Sequence, residues 1–409
     1  MPSRTRDICP RNIELPLFGS RPARPPIHTA AVYHCDSPEQ AQIRLADEEQ
    51  GYVYQRGKHP NAALLAEKCR LLHQADTALV TSCGMAAIAL ALTSCLQQGD
   101  HILMSNRLYG ETALIVEREF SRFGIESSQV DLLNLEQVSQ ELRANTKLII
   151  AETISNPTLR VADVAGLAQL AHQSDALLLV DNTFASPAVC QPLELGADLV
   201  VESMSKIMNG HGDLMLGVLC TGNQCDQQLR ERLAFANKTW GFSGSPMDCW
   251  LAERGLVTLF PRVSTACGTA LSVAQELGQY AAVREVIYPG LKSHPDYDLA
   301  VRQFQQTFQQ TNPSSGDSLF GHVLTLQLEG DLATATRFIQ SLPDVPFCPS
   351  LGEPMTTLSH PASTSHRSMT TVDREKLGIF PTTIRLSIGL ESPEFILEAL
   401  RNSLADLDF

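Results

Sequence analysis

Short apolar segments alternate with helix-like stretches through the middle of this chain, and this alternation restricts its fold more than any other feature. The apolar segments lie at residues 77–82, 100–105, 147–153, 176–182 and 197–203. The stretches between them, such as GMAAIALALTSCL and VADVAGLAQLAHQ, have the apolar spacing of helices. Strands that are apolar on both faces and separated by helices predict a mostly parallel sheet with helices on both sides. We therefore expect an α/β fold.

The sequence predicts three regions. Residues 1–53 are rich in proline and arginine and have weak periodicity, which favours an N-terminal arm. Residues 54–250 contain the alternating pattern and form the larger predicted domain. Residues 251–409 begin with a long helical stretch and continue through the alternating segments HVLTLQLEG and TIRLSIGLE, which favour a smaller C-terminal α+β domain. A chain of 409 residues is long enough for both domains.

The arginines of the first 26 residues allow a second interpretation of the arm, an organellar transit peptide. They are Arg4, Arg6, Arg11, Arg21 and Arg24. Transit peptides are amphipathic and poor in acidic residues. Because Asp7, Glu14 and several prolines lie in the same stretch, we favour an extended arm.

Net charge restricts the possible partners. The formal charge is -14, and a protein that follows nucleic-acid phosphates or an anionic membrane surface needs a basic face. No apolar run approaches the roughly 18 residues that a membrane span requires. We predict a small-molecule ligand, with neither nucleic acid nor a membrane as partner.

The eleven cysteines are scattered, and no Cys-x-x-Cys pair is present. Cys220 and Cys225 come closest to a metal-ligand spacing, but they lack a second pair and a nearby histidine. This pattern favours reduced, mostly buried thiols in a cytoplasmic protein over a metal site or a disulfide framework.

Ligands of an open parallel sheet bind beyond the carboxyl ends of its strands, and four informative features fall at predicted strand ends. In VTSCGMAAI, Gly84 and Met85 open a helix directly after a strand. Free backbone N–H groups and the positive end of the helix dipole suit a phosphate there. A glycine at such a turn also serves packing alone, so this stretch leaves both interpretations open.

Asp181 follows a buried strand in LLLVDNTF. A buried carboxylate is costly unless it has a cationic partner. Asp181 either caps the next turn or holds a proton on a heterocyclic nitrogen. In a pyridoxal phosphate ring, the second arrangement would make the cofactor a strong electron sink.

The stretch VVESMSKIMNGHGDL places Ser203, Ser205 and Lys206 at the end of an apolar run. The two hydroxyls suit a phosphate, whereas a lysine at such a position usually extends its ammonium into water. Here the lysine lies beside the predicted phosphate site and near the Asp181 strand. Desolvation and nearby cations lower the pKa of such an amine from about 10.4, which permits an imine with an aldehyde.

Arg385 interrupts the apolar alternation of TIRLSIGLE. An inward arginine is costly unless it meets an anion, and its planar fork matches a carboxylate. An internal ion pair and a bound ligand carboxylate both satisfy this requirement.

Three longer stretches, AETISNPTLRVADV, LVDNTFASPAVCQPLELGADLVVESMSK and HPASTSH…TIRLSIGLE, resemble the Cys/Met-metabolism (trans-sulfuration) family of pyridoxal-phosphate enzymes. This family includes cystathionine γ-synthases and γ-lyases, methionine γ-lyases and acylhomoserine sulfhydrylases. The resemblance extends from PPIHTAAVY at residue 25 to the C-terminal helix. It implies pyridoxal 5′-phosphate as cofactor and, for the larger domain, the aspartate-aminotransferase-like fold (fold type I).

The resemblance also implies roles for individual residues around the cofactor ring. Lys206 would carry the cofactor as a Schiff base, and Asp181 would pair with the ring nitrogen. Tyr109 of LYGET would stack on the ring, Asn156 would contact the ring oxygen or the substrate, and Thr183 would line the ring.

The phosphate, by the same resemblance, would be held by Gly84, Met85, Ser203 and Ser205. Tyr54 and Arg56 of YVYQRGKHPN would reach this phosphate from a neighbouring subunit. The active site would then need at least a dimer, and the family is usually a homotetramer.

The substrate α-carboxylate would be bound by Arg385 with help from Ser350 and Asn156. Lys206 would act as the catalytic base, and Tyr109 would assist departure of the group on Cγ. We therefore expect a carbon–sulfur lyase that converts methionine, homocysteine or cystathionine-type substrates to a 2-oxo acid, ammonia and a thiol. The alternative is γ-replacement, as in cystathionine γ-synthases and O-acetylhomoserine sulfhydrylases.

Several positions depart from the family pattern. Pro349 and Met355 stand where cystathionine enzymes have acidic residues, which weakens the cystathionine interpretation. Glu111 replaces the cysteine of bacterial methionine γ-lyases; it either faces the distal part of a substrate or lies at a solvated helix start. Glu202 replaces the usual histidine before the phosphate serines.

Two other functions are compatible with the same fold. An aminotransferase would share Lys206 and Asp181, but it would form pyridoxamine phosphate and use a 2-oxo acid acceptor. A scaffold without cofactor would be colourless. The presence of every expected type of cofactor-facing residue favours the lyase or transferase.

Overall fold

The computed structural model describes residue 7 and residues 22–46, 50–311 and 319–407, except for the side chains of residues 305–311. Four of the five arginines on which the transit-peptide interpretation rests lie outside this description, as does Glu14. Of the predicted N-terminal arm, residues 1–6, 8–21 and 47–49 lie outside it as well.

Fourteen α-helices, α1 to α14, occur in the described part of the chain. In chain order they are Pro38–Ala46, Pro60–Leu72, Gly84–Cys95, Gly110–Leu114, Leu135–Glu141, Val164–Gln173, Ser186–Val189, Gln227–Trp240, Pro246–Leu256, Leu259–Leu277, Tyr297–Thr311, Leu332–Gln340, Thr371–Lys376 and Pro393–Ala405. A π-helical turn and three short 3-10 helices lie at Ile115–Glu119, Phe120–Phe123, Pro192–Leu195 and Pro361–Ser363.

A seven-stranded sheet forms the centre of the fold. Its strands, β1 to β7, are Thr77–Thr81, His101–Ser105, Glu126–Val130, Thr146–Glu152, Leu177–Asp181, Leu199–Ser203 and Gly217–Thr221. Their order in space is β1-β7-β6-β5-β4-β2-β3. Only β7 runs antiparallel to its neighbours in this sheet, β1 and β6, and the remaining pairs are parallel. The predicted α/β fold with a mostly parallel sheet is confirmed.

Successive residues of the central strands enter two different hydrophobic cores. On β4, Leu148 and Ile150 join the core that contains α3 and α8. Ile149 and Ala151 point the other way, into the core that contains α6. Because side chains alternate along a strand, a strand buried on both faces must be apolar throughout. This explains the continuous apolar segments of the sequence.

A second sheet is antiparallel and has four strands in the order β10-β11-β9-β8. Strands β8 to β11 are Val283–Ile287, Val323–Leu328, Thr357–Ser359 and Thr383–Ser387. The segments HVLTLQLEG and TIRLSIGLE supply β9 and β11, and every residue of both strands is buried. Arg385 is therefore a buried charge at the middle of β11, paired in register with Ser359 and Thr325.

No single helix among the described residues is both long and apolar enough to cross a membrane. The pair α9 and α10, bent by 61° at the break between them, meets this criterion of length and composition only when the two helices are taken together.

Candidate active site

A cavity of about 750 Å³ lies between the carboxyl ends of β4, β5 and β6 and the smaller sheet, which contributes Arg385 of β11. The parallel strands end at the same edge, and in register Glu152 of β4 pairs with Asp181 of β5. The residues of the sequence prediction that line the cavity are Gly84, Met85, Tyr109, Asn156, Asp181, Thr183, Ser203, Ser205, Lys206, Ser350 and Arg385. Residues more than 300 positions apart are thus assembled in one place.

One end of the cavity is formed by the start of α3. Cys83 caps this helix, and its Sγ accepts a hydrogen bond from the Ala86 backbone N–H at 3.4 Å. A Cβ atom at Gly84 would lie 2.9 Å from the Cβ of Ser203, so glycine is what permits this close approach. The first turn of α3 and the end of β6 therefore bring backbone N–H groups and a hydroxyl together, which fits a phosphate.

The hydroxyl of Ser205 lies at this end of the cavity and contacts both the N–H and the carbonyl of the Leu216 backbone. Its Oγ accepts a hydrogen bond from the Leu216 N–H at 3.1 Å and lies 3.4 Å from the Leu216 carbonyl oxygen. The contact fixes the turn after β6 against the start of β7. Ser205 is thereby positioned next to Lys206.

Asp181 ends β5 with a buried carboxyl group. Its Oδ1 accepts the Thr183 backbone N–H at 2.9 Å, and the Thr183 hydroxyl in turn accepts the Ser203 N–H at 2.9 Å. Burial raises the pKa of Asp181, and no cation forms an ion pair with it in the part of the chain that the structure describes. A protonated ring nitrogen would supply this missing cation, so the site fits pyridoxal phosphate.

Glu152 is a site residue that the sequence analysis did not select. Its Oε1 accepts the Tyr109 backbone N–H at 2.5 Å, and its Oε2 accepts the Asn156 backbone N–H at 3.3 Å. Burial and the neighbouring Asp181 raise the pKa of Glu152 to about 8. The sequence does hold a signal for it, because Glu152, like Asp181, is an acidic residue at the end of an apolar segment.

Lys206 lies in the turn after β6 and points into the cavity. Its Nζ donates a hydrogen bond to Ser350 Oγ at 3.0 Å. Burial, assisted by the positive charge of Arg385, lowers the pKa of Lys206. A lowered pKa increases the fraction of neutral amine, which is the form that reacts with an aldehyde.

Arg385 lies across the cavity, on β11. One guanidinium nitrogen, Nη1, donates to Asn156 Oδ1 at 3.0 Å, and Nη2 donates to the Ser350 carbonyl oxygen at 2.7 Å. Burial lowers the pKa of Arg385 to about 10. Its Nε is buried without a partner. Within the described ranges no carboxylate pairs with Arg385, so the internal ion pair that the sequence left open is not present there.

Three residues of the sequence prediction do not line this cavity. Tyr54 is half exposed, and Arg56 stacks over its ring with the guanidinium carbon 5.7 Å from the ring centroid. Arg56 Nη1 donates a hydrogen bond to the Lys238 carbonyl oxygen at 2.6 Å. Tyr54 and Arg56 both face a separate cavity of about 150 Å³. Glu111 is exposed in the first turn of α4, as in the helix-start interpretation.

The positions where the chain departs from the family pattern are divided between cavity and surface. Pro349 lines the cavity, whereas Met355 is half exposed and lies outside it. Glu353, which the sequence analysis did not select, contributes a carboxylate to the cavity wall. Arg367 adds a guanidinium on the exposed side.

A family model described as Cys/Met metabolism PLP-dependent enzyme matches residues 18–405 of this chain. An L-methionine gamma-lyase from Fusobacterium nucleatum subsp. polymorphum is 35% identical over 380 residues, which cover 93% of this chain and 92% of that protein. An O-succinylhomoserine sulfhydrylase from Pseudomonas aeruginosa is also 35% identical, over 93% of this chain and 90% of that protein.

This chain is also similar to solved structures in both fold and sequence. The crystal structure of cystathionine gamma synthase from Xanthomonas oryzae pv. oryzae in complex with aminoacrylate and cysteine has a TM-score of 0.89 and 32% sequence identity. The match covers 99% of this chain and 98% of that one. The shared fold therefore includes both sheets, between which the cavity lies.

Proposed function

This chain belongs to the family of Cys/Met metabolism PLP-dependent enzymes, and we propose that it is a carbon–sulfur lyase that acts on sulfur amino acids by γ-elimination. Its substrates are of the methionine, homocysteine or cystathionine type, and its products are a 2-oxo acid, ammonia and a thiol. The observation that carries this proposal is the single cavity shared by the Lys206 amine, the Asp181 carboxyl group and the Arg385 guanidinium.

Pyridoxal 5′-phosphate, when bound, supplies an aromatic ring that accepts the electrons released at the substrate Cα. In this proposal the start of α3, Ser203 and Ser205 hold its phosphate, and Asp181 holds its ring nitrogen. The close contact of Gly84 with Ser203 supports the first assignment, and the lack of an ion-pairing cation for Asp181 among the described residues supports the second. Thr183 and Asn156 line the same space.

Arg385 fixes the substrate by its α-carboxylate. Two of its guanidinium nitrogens already donate to Asn156 and to the Ser350 carbonyl, so the group is held in place before a ligand arrives. The guanidinium lines the cavity, and its planar fork matches a carboxylate. A substrate held in this orientation presents its Cα–H bond to Lys206, which lines the same cavity.

Lys206 Nζ takes the proton from substrate Cα and returns it elsewhere on the substrate. The lowered pKa of Lys206 supports this base role, because the neutral amine is the form that accepts a proton. Tyr109 supplies the acid for the departing sulfur. Burial raises the pKa of Tyr109, which keeps its phenol protonated at neutral pH.

A γ-replacement transferase is the second candidate, and a specific observation favours it. The sulfhydrylase from Pseudomonas aeruginosa and the methionine gamma-lyase from Fusobacterium nucleatum are equally similar to this chain, at 35% identity each. Both reactions begin with the same proton removal at Cα. They differ in whether water or a thiol completes the reaction, which the cofactor contacts do not determine.

The two candidates are separated by a product assay with purified holoenzyme. Methionine, homocysteine, cystathionine and O-acetylhomoserine are offered in turn, with and without sulfide, and 2-oxobutanoate is recorded against thiol and thioether products. Release of 2-oxobutanoate from methionine or homocysteine supports the lyase. Formation of homocysteine from O-acetylhomoserine and sulfide, without 2-oxobutanoate from any thioether, establishes the transferase instead.

We also propose that the enzyme is a homo-oligomer, a homotetramer in its complete form. Tyr54 and Arg56 lie outside the cavity of their own chain, and Tyr54 is half exposed, which supports a role toward a partner subunit.

The ten cysteines among the described residues are all free. Free thiols favour a reducing compartment, so we place the enzyme in the cytoplasm.

A further inference from the structure

A second large cavity, of about 870 Å³, has no lining residue in common with the active-site cavity. Its wall includes Arg107, which follows β2, and Thr158, which follows β4 of the larger sheet. The whole of β8 from the smaller sheet and the end of α10 also line it. Cavities that bind small molecules commonly measure roughly 300 to 1,000 Å³, and the proposed reaction leaves this one unused.

Basic side chains outnumber acidic ones in the wall of this second cavity. The basic residues are Arg107, Arg160, Arg284 and Lys376, and the acidic ones are Glu285 and Glu375. His294 lines it as well and is neutral near pH 7, since burial lowers its pKa to about 4. The excess is opposite in sign to the formal charge of the chain, -14, so the cavity attracts anions that much of the remaining surface repels.

Two of the four basic residues already have close carboxylate partners. Arg160 Nε and Nη2 donate hydrogen bonds to the two carboxylate oxygens of Asp296 at 2.6 and 2.8 Å. Lys376 Nζ lies 3.2 Å from Asp373 Oδ1. The charges of Arg160 and Lys376 are therefore largely balanced, which leaves Arg107 and Arg284 as the groups that determine what the cavity binds.

Arg107 is the more buried of these two, with a side chain that is 14% exposed. Its Nη1 donates to the Thr158 hydroxyl and to the Leu377 carbonyl oxygen, both at 3.3 Å. Both acceptors are neutral, and the carboxylate that pairs with Arg107, that of Asp131, is 3.9 Å from Nε. Burial lowers the pKa of Arg107, and Asp131 acts against this lowering from a distance. A closer anion would stabilise the guanidinium.

Arg284 is exposed on β8 and has a fixed orientation. Its guanidinium carbon lies 5.5 Å from the centroid of the Phe380 ring, which is a cation–π contact. In the part of the chain that the structure describes, no carboxylate forms an ion pair with Arg284. Because the ring already supports the planar fork, an incoming acid loses less free energy in ordering this side chain.

One short segment contacts both arginines. The Leu377 carbonyl accepts from Arg107, and three residues later the Phe380 ring supports Arg284. Three residues of chain span at most about 10 Å. The two guanidinium groups therefore border one space and can contact the same small molecule.

We propose that this cavity is a second ligand-binding site, which takes a small organic anion with two acidic groups, one for Arg107 and one for Arg284. Arginine forks match carboxylates and phosphates alike, so the site selects for two negative charges rather than for one kind of acid. The side chains of Gln275 and Gln279 line the same cavity and supply neutral amides for the uncharged part of the ligand. The site does not depend on whether the enzyme is a lyase or a transferase.

Isothermal titration calorimetry of the holoenzyme tests this site with glutarate and with propane-1,3-diyl bisphosphate. Both probes have two acidic groups on a three-carbon chain, and they differ only in the kind of acid. At constant ionic strength, we expect at least one of them to bind with a dissociation constant below about 1 mM. Butyrate, which has a single carboxylate, should bind at least about tenfold more weakly. The rise in Tm with probe concentration is the second measurement.

Variants locate the bound probe. Arg284→Gln changes an exposed side chain and should weaken the tighter probe at least about tenfold, and Arg107→Gln should do the same. Urea denaturation checks that Arg107→Gln remains folded. Arg337→Gln, at an exposed position of α12 outside both cavities, is the matched control and should keep wild-type affinity. Arg385→Lys changes the active-site cavity and should keep it as well.

Loss of affinity in Arg284→Gln, with wild-type affinity in Arg337→Gln and Arg385→Lys, supports the second site. The probe that binds more tightly then identifies the acid as carboxylate or phosphate. If the wild-type enzyme shows neither saturable heat nor a rise in Tm with either probe, or binds butyrate equally well, the inference is overturned. Binding that Arg385→Lys abolishes and Arg284→Gln leaves intact also overturns it, because the probe then occupies the active-site cavity.

Discussion

The Arg385 guanidinium donates a hydrogen bond to Asn156 Oδ1 at 3.0 Å and thereby joins the two sheets of the molecule. Arg385 belongs to β11 of the smaller sheet, and Asn156 follows β4 of the larger one. Neither sheet alone contains the site, because Lys206 follows β6 while its hydrogen-bond partner Ser350 precedes β10. The packing of one sheet against the other therefore determines the distance between Lys206 and Arg385.

Replacing Arg385 by lysine tests the carboxylate-binding role. Arg385→Lys keeps a positive charge but loses the planar fork that contacts Asn156 and Ser350. We expect KM for the amino acid substrate to rise by about tenfold or more, with a smaller change in kcat. Steady-state kinetics measure both constants. Arg401→Lys, at an exposed position on α14, is the control, and an unchanged KM in Arg385→Lys would contradict the assignment.

Replacing Lys206 by alanine tests the attachment of the cofactor. We expect Lys206→Ala to retain little of the visible absorbance of the bound cofactor and to have no detectable turnover, because the only cavity lysine reported among the described residues is removed. Absorbance after dialysis and release of 2-oxobutanoate are the two measurements. Lys292→Ala changes an exposed lysine and should behave as wild type. Wild-type turnover in Lys206→Ala would rule out the proposed mechanism.

Mixed oligomers test whether Arg56 acts on the site of a partner subunit. Arg56→Ala and Lys206→Ala should each be weakly active or inactive alone, whereas a mixed dimer should have about one half of wild-type activity, since one of its two sites receives both intact residues. An unfractionated coexpression, in which about half of the dimers are mixed, should have about one quarter. Subunits with different affinity tags allow the mixed species to be purified and assayed. Coexpression of two differently tagged Lys206→Ala chains is the control. No recovery in the mixture would show that Arg56 does not act on the site of a partner subunit.

The buried Glu202 predicts how stability depends on pH. Burial raises the pKa of Glu202 well above its usual value, its Oε1 accepts a hydrogen bond from Asn182 at 2.8 Å, and burial lowers the pKa of the neighbouring His73 to about 4. A raised folded-state pKa means that Glu202 contributes its full stability below its unfolded pKa and loses it as pH rises toward the folded pKa.

We therefore expect Glu202→Gln, which cannot ionise, to lose less stability than wild type as pH rises from 6 to 8.5. The difference should grow by at most about 1.4 kcal/mol per pH unit. Urea denaturation at several pH values gives the free energy of unfolding, and Glu398→Gln controls for the loss of an exposed charge. A constant difference between Glu202→Gln and wild type across this range would show that Glu202 is already ionised in the folded enzyme.

The strands that could be predicted from the sequence are those buried on both faces. The apolar segments at 147–153 and 176–182 became β4 and β5, because their composition alone requires a covered position in a sheet. β7 was not predicted, although its five residues are all buried. No α-helix lies between β6 and β7, and a parallel strand needs a crossover connection, so β7 enters antiparallel.

The part of the cavity at the strand ends was more predictable than the part formed by the segment before β10. Asp181 ends β5, and Lys206 lies in the turn after β6. The order of the strands therefore brings both residues to one edge of the larger sheet. Glu353 instead lies in a segment without regular structure, between α12 and β10. Its position depends on the packing of Gly352 against the Lys206 backbone and on the missing side chain at Gly212, neither of which has a periodic signal in the sequence.

The first turn of α3 forms a wall of the cavity, while Leu90 and Leu92 of the same helix are fully buried in the core with β6 and β7. A helix moves as a rigid rod, and close-packed interiors transmit small changes of volume. Substitutions deep in that core, far from any ligand, would then shift the backbone amides at the other end of the rod. If the phosphate binds there as proposed, its affinity can be adjusted over evolutionary time from positions that no ligand touches.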